Sequence, residues 1–246
     1  MKQTMIFAAG LGTRLKPLTD TMPKALVPVA GKPLLWHVIQ RLKTAGFERV
    51  VVNVHHFADQ IEEYIKQNDG FGLDIHISDE RNELLETGGG IRKAIPLFDA
   101  DSPVLIHNVD ILSNVDLQGL YDAIGTDDAL LLVSNRNTQR YLLFNADDNL
   151  VGWTNVATGE LRGPIAEHPQ TVNRYAFSGI HVVSPHLLQR MNNYPARFPI
   201  VDFYLKECAM ACIKAYAMNN LMLMDVGKQE TLHDAEHFLH RLEQSV

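Results

Sequence analysis

Two hydrophobic periods alternate along this chain, and that alternation constrains its fold more than any other feature. Continuous apolar, largely β-branched runs recur, as in TMIFAA, RVVVNVH, PVLIHNVD and ALLLVS. Between them lie segments whose apolar residues stand three and four apart. PLLWHVIQRLKTAG carries Leu35, Val38, Ile39 and Leu42, and FADQIEEYIKQ and VDLQGLYDAI follow the same rule. A strand that is apolar on both faces must be covered on both faces, and the intervening helices supply the cover. Repetition of this kind predicts an α/β fold with a mostly parallel sheet flanked by helices.

After Ser134 the texture changes. RYLLFN, NLVGWTN and YAFSGIHVV read as strands separated by Asp, Asn and Gly turns, which predicts an inserted antiparallel region. SPHLLQRM and FPIVDFYLKECAMA read as helices, LMLMD as a last strand and KQETLHDAEHFLHRL as a closing helix. No repeat, low-complexity stretch or linker interrupts this order. The expectation is one domain over residues 1–246, with halves 1–134 and 135–246 of different texture.

The formal charge is −7 and no lysine or arginine run stands out, so neither nucleic acid nor a membrane surface is an expected partner. A few desolvated cations can still bind a small anion. The two cysteines, Cys208 and Cys212, lie one turn apart if their segment is helical. Two ligands do not make a zinc site, and buried thiols in a reducing compartment are expected. MKQTMIFAAG meets glycine too soon for a signal peptide, and no apolar run spans a membrane. A cytoplasmic location is expected.

The first apolar run ends in AAGLGTRLKPLTDTMPKALVPVAGKP. A glycine turn behind a strand bares backbone N–H groups that can cradle phosphate oxygens; a purely structural turn uses the same residues. Gly10 and Gly12 suit either role, Arg14 adds a charged fork, and Lys24 sits between Pro23 and LVPV. The P-loop spacing is absent. The dinucleotide pattern needs a third glycine where Leu15 stands, and an acid where VVVNVHH ends in histidines, which disfavours a dinucleotide-dependent oxidoreductase.

Taken whole, G-x-G-T-R, P-x-T, P-K and P-V stand here in the order and spacing of the sugar-1-phosphate nucleotidylyltransferases, which the chain resembles. LETGGGIRKA, NVD, FSGI and MDVGKQETL extend the resemblance over most of the chain. The resemblance implies a Rossmann-like sheet with an inserted substrate region. It implies transfer of a nucleotidyl group from a nucleoside triphosphate to a sugar 1-phosphate, with release of pyrophosphate and use of Mg2+. Residues 1–134 would then be mainly the nucleotide half and residues 135–246 mainly the sugar-phosphate half. A chain of this length is expected to lack an appended β-helix or acetyltransferase module.

Residue by residue, the resemblance assigns Ala9, Gly10, Gly12 and Thr13 to the triphosphate and Arg14 and Lys24 to catalysis. It assigns Asp110 and Asp225, each read at a strand end, to the metal, with Asp110 catalytic as well. Each aspartate is also a candidate cap for the helix or turn after it; Asp116, before LQGLYDAI, reads as an N-cap. Val109 departs from the glycine usual before the metal aspartate. Glu80, Thr87, Gly88 and Gly89 are candidates for base contact, since glycines let backbone approach a planar ring. Gly179 within FSGI is a candidate for the sugar pocket. No Glu-Lys-Pro element occurs in WTNVATGE, where Thr154, Asn155 and Glu160 are candidate substitutes. His55 and His56, at a strand end, suit a surface or capping role, with a metal or catalytic role as the alternative. LETGGGI is most similar to the N-acetylmuramate 1-phosphate uridylyltransferases of cell-wall recycling, which implies UTP as donor. A mannose 1-phosphate guanylyltransferase, a CTP-dependent phosphocholine transferase and a non-catalytic nucleotide-binding regulator are the alternatives.

Overall fold

The computed structural model describes residues 1–167, 171–218 and 220–243. Strand β1 (Lys2–Phe7) leads into the glycine turn, a short hairpin of β2 (Pro28–Val29) and β3 (Lys32–Pro33), and helix α1 (Leu34–Thr44). Then come β4 (Phe47–Val54), α2 (Ala58–Gln67), β5 (Asp74–Asp79), α3 (Glu86–Ala94), β6 (Val104–Asn108), β7 (Ile111–Ser113), α4 (Leu117–Asp122) and β8 (Ala129–Ser134). The second half holds β9 (Arg140–Phe144), β10 (Leu150–Asn155), β11 (Glu160–Arg162), β12 (Asn173–Val183), α5 (Pro185–Arg190), α6 (Ile200–Glu207), β13 (Ile213–Ala217), β14 (Leu223–Asp225) and α7 (Glu230–Glu243).

The principal sheet runs β11-β10-β9-β12-β6-β1-β4-β5, with β8 against β12 and β13 against β8. Its centre is parallel: β1 pairs β4 on one side and β6 on the other, and β4 pairs β5. The expected α/β class is therefore the one observed. Successive residues of β1 feed opposite faces, as a strand's period of two requires. Ile6 packs with Val50, Val52 and the α1 residues Leu35, Val38, Ile39 and Leu42. Met5 packs on the other face with Val51, Ile91 and Ile106, under Phe203 and Tyr204 of α6.

Strand β12 ties the halves together. Its first residues pair with β9, and its last pair with β6 on one edge and β8 on the other. The register slips between Phe177 and His181, where Gly179 lies at φ +75. A side chain at Gly179 would overlap Asn108 at the end of β6, so only glycine admits that approach.

Three expectations are corrected. The helix expected over FPIVDFYLKECAMA stops at Glu207. Cys212 therefore stands at the entry to β13, not one turn after Cys208 on a helix, and its thiol donates to Asp127 Oδ1 (3.1 Å). Burial pushes the Cys208 thiol up to about 11, which makes it unreactive. The helix expected from GGIRKAIPLF begins earlier, at Glu86, so its glycines lie inside the first turns. β11 and β13 were not expected at all. Asp116 caps α4 as expected, accepting from Gly119 N (2.9 Å). No helix among the described residues is long and apolar enough to cross a membrane.

Candidate active site

β1 is where the strand order reverses: its chain neighbour β4 lies on one side and the later β6 on the other. Open α/β sheets place their ligands in the crevice at such a point, beyond the carboxyl ends of the strands. A cleft of about 450 Å³ opens there. It is walled by residues 7–14, Lys24, Asn53, Glu80, Thr87, residues 108–110 and Gly227.

The floor is a buried clasp centred on Asn53, a residue that sequence reasoning missed. Its Oδ1 accepts from the amides of Ala8 (2.7 Å) and Ala9 (3.2 Å), which holds the chain as it leaves β1. Its Nδ2 donates to Glu80 Oε1 (2.7 Å), and Glu80 Oε2 accepts from Leu85 N (3.1 Å). Both side chains are almost fully buried, so these bonds are needed to offset their desolvation. A lone asparagine inside VVVNVH was the available signal. With two amides spent on the clasp, those of Gly10, Leu11 and Gly12 have no acceptor among the described residues and border the cleft. Gly12 lies at φ +61, and a Cβ there would come within 2.8 Å of Thr19 and 3.1 Å of Lys24 Cβ. Its absence lets the lysine stem cross directly beneath the loop.

Lys24 is buried and ion-paired with Asp110 Oδ2. Asp110 does not end β6, as expected, but sits in the turn between β6 and β7. β7 pairs with β14 so that Asp225 lies opposite Ile111, and Val226 N donates to Asp110 O (2.8 Å). The pairing sets the two aspartates side by side. Partial desolvation pushes the Asp225 carboxyl up, and the Asp110 charge pushes it the same way; Lys24, Arg14 and Arg136 oppose that rise. Arg14 NH2 lies 2.7 Å from where a Cβ on Gly227 would stand, so that glycine gives the guanidinium its place beside Asp225. Arg14, Lys24, Asp110 and Asp225 thus converge at one end of the cleft. Val109 is buried in the core under β1 and also borders the cleft.

The base and sugar candidates fare differently. Gly88 and Gly89 do not face the cleft. Their amides both donate to Phe198 O (2.9 and 3.1 Å), and their missing side chains make room for Phe198 and Ala196. Gly90 does not line the cleft either: it packs on the clasp beneath it, where a Cβ would stand 2.9 Å from Glu80 Oε1. Thr87 borders the cleft, with its hydroxyl accepting from Ile200 N (2.9 Å). Asn155 and Glu160 lie outside the cleft, opposite each other on β10 and β11. Asn155 Oδ1 accepts from Ala157 N (3.1 Å) in the turn between those strands. Gly179 touches the cleft only through Asn108. His55 donates from Nδ1 to Glu80 O (2.7 Å), and His56 packs on Phe57.

A cleft that joins free loop amides and two cations to a pair of carboxylates is fitted to a polyphosphate and a divalent ion. Residues 3–241 match the nucleotidyl transferase family model, and the chain belongs to that family. It is 51% identical over 111 residues to an N-acetylmuramate alpha-1-phosphate uridylyltransferase of Caulobacter vibrioides, a match covering 44% of this chain and 46% of that protein. It is 44% identical over 120 residues to the protein of that name from Neisseria meningitidis, covering 48% and 51%. The chain spans about half the length of these curated relatives. Among solved structures, it superimposes on HddC from Yersinia pseudotuberculosis complexed with GMP-PN with TM-score 0.76 at 21% identity, over 97% of this chain and all of that one. A UDP-glucose pyrophosphorylase complexed with UDP-glucose gives 0.77 at 16%, over 98% and 99%.

Proposed function

We propose that the protein is a sugar-1-phosphate nucleotidylyltransferase that transfers a uridylyl group from UTP to N-acetylmuramate 1-phosphate. The observation that carries this reading is the convergence of three unpartnered loop amides, Arg14 and Lys24 on the Asp110–Asp225 pair. The similarity to the Caulobacter and Neisseria uridylyltransferases supports the choice of substrates.

The reaction needs little covalent help. A phosphate oxygen of the sugar phosphate, ionised at neutral pH, forms a bond to the α-phosphorus of UTP. The bond from that phosphorus to the bridging oxygen breaks, and its electron pair leaves with pyrophosphate. No proton moves, so the protein's task is position and charge. The amides of Gly10, Leu11 and Gly12, with Thr13 and Arg14, hold the triphosphate. Lys24, buried and already directed to Asp110, supplies positive charge where the α-phosphate and the incoming phosphate meet. Glu80 anchors the loop through Asn53 and, with Thr87, borders the base end.

The two carboxylates fit Mg2+, which takes one or two carboxylates and keeps most of its water. Asp225 is solvent-exposed, and partial desolvation and the Asp110 charge still push its carboxyl up, a rise that a cation would oppose. When bound by Asp110 and Asp225, the ion would neutralise charge shared between the nucleotide and the sugar phosphate.

The test is pyrophosphate release from five triphosphates against a set of sugar 1-phosphates, with Asp225→Asn as companion. UTP should exceed GTP by about tenfold or more, because a pocket built for one base's polar edge leaves groups unpaired with another. Asp225→Asn should lower turnover by about a hundredfold or more at saturating Mg2+. Equal or better use of GTP with mannose 1-phosphate would reject the substrate pair; near-normal turnover of the variant would reject the metal site.

A further inference from the structure

A second concavity lies in the antiparallel half, and the proposed transfer makes no use of its chemistry. Side chains two residues apart on a strand share a face. Arg140 and Leu142 on β9, Trp153 and Asn155 on β10, and Glu160 and Arg162 on β11 therefore stand on one face of the sheet. The register aligns them in two rows: Leu142 opposite Trp153 opposite Arg162, and Arg140 opposite Asn155 opposite Glu160. Arg136, Phe177 of β12 and Val201 of α6 complete the walls of a cavity of about 290 Å³.

Its lining carries three guanidinium groups and no carboxylate. Arg162 is committed: it lies 4.1 Å above the Trp153 ring and pairs with Asp202 (2.7 Å) and Glu160 (3.5 Å). Arg136 gives one NH2 to Phe177 O (2.9 Å) and keeps its remaining donors. Arg140 has no acceptor for its guanidinium among the described residues. Arginine does not lose its proton in a protein, so this surplus of positive charge cannot be relieved by titration. Arg136 and Arg140 are solvent-exposed, so water solvates their remaining donors, and an entering carboxylate can take the place of that water. Of the other walls, Thr138 is polar and Leu142, Trp153, Phe177 and Val201 are apolar. That mixture suits a carboxylate on a short aliphatic stem better than a phosphate, because guanidinium groups bind carboxylate oxygens in pairs while the apolar walls receive the stem.

The cavity also lies towards the reacting end of the cleft. Arg136 contributes to the field at Asp225, and Phe177 is two residues from Gly179, which packs on the cleft residue Asn108. We propose that this cavity is a subsite for a carboxylate carried by the sugar 1-phosphate, and that Arg140 and Arg136 select an acidic acceptor over a neutral one. The inference rests on the reading of the protein as a sugar-1-phosphate nucleotidylyltransferase. It adds where the acid is recognised.

The experiment compares N-acetylmuramate 1-phosphate with N-acetylglucosamine 1-phosphate, which lacks the lactyl carboxylate, at saturating UTP. Wild type, Arg140→Gln and the double variant Arg136→Gln/Arg140→Gln are measured, with thermal midpoints to confirm folding. Wild type should favour the acidic acceptor. The ratio of the two kcat/KM values should fall about tenfold or more in Arg140→Gln, and further in the double variant, on the scale of lost charge-assisted bonds. The KM for UTP should stay within about twofold, since the cavity is not assigned to the triphosphate. A wild type that prefers the neutral acceptor would overturn the acceptor assignment and the subsite together. A wild type that prefers the acid, with a double variant that keeps the same ratio, would overturn the subsite alone. A rise in the KM for UTP in place of a fall in the ratio would overturn it too.

Discussion

Two histidines show how much a single buried residue can impose on a fold. His107 of β6 donates from Nδ1 to Asn108 O (2.8 Å), while neither ring nitrogen of His181 on β12 has a partner among the described residues. Burial holds the His107 imidazolium down to about 4, with the Arg41 charge assisting, and burial alone holds His181 down to about 3. Unfolded, both take a proton near the ordinary value of 6.5. Between that value and the folded ones the unfolded chain binds more protons, so stability falls as pH falls. At pH 5 the loss should be about 2 kcal/mol for each histidine. Urea midpoints at pH 7.5 and pH 5 measure it, and His181→Leu should remove about half of the histidine share. An unchanged acid slope in that variant would show that His181 is not held neutral.

Glycines carry two different duties at the level of the elements, and the sequence alone could not tell them apart. Gly10 opens onto the cleft, with no atom within 4 Å of its Cβ position. Gly89 lies inside α3 against the Ala196 carbonyl. Gly89→Ala should therefore cost about 1–3 kcal/mol through overpacking. Gly10→Ala should leave stability within about 0.5 kcal/mol and instead weaken triphosphate binding. Denaturant titration and nucleotide binding on the same two variants separate these duties; equal stability would mean that α3 does not need Gly89.

Which face a glycine presents depends on residues 196–198, over a hundred positions along the chain, and no local pattern encodes that. The elements themselves were legible, because strand and helix periods are local: β1, α1, β4, α2 and β5 stand where the runs and spacings put them. The signature carries Arg14 and Lys24, and NVD and MDVGKQETL carry Asp110 and Asp225; it is the structure that sets the four side by side. β13 was not legible, since IKAYA follows an apolar helix with no breaker beyond Cys212. Asn155 and Glu160 were polar enough to suggest a sugar, but only the strand register shows that they stand beside Arg140 and away from the main cleft.

For the whole molecule, the long strand β12 matters most. It hydrogen-bonds to strands of both halves, so neither half can open without exposing edges of the other. One cooperative transition is the expected result. The two tryptophans report on it separately, Trp36 from α1 and Trp153 from β10. Trp36→Phe and Trp153→Phe leave one emitter each, and their urea curves, corrected for any change in midpoint by circular dichroism, should coincide with loss of secondary structure. Fluorescence that departs from circular dichroism in either variant would mean two folding units.

The pairing of β14 with β7 has a consequence in time. It joins residues about 110 apart in sequence, whereas β1, β4 and β5 and the helices between them assemble from near neighbours. Closing so long a loop adds little free energy cost in itself. Its contacts bring reward only once β7 is already in place on a formed sheet. During refolding, then, helical ellipticity should return first, and the β7–β14 pairing that sets Asp225 beside Asp110 should form last.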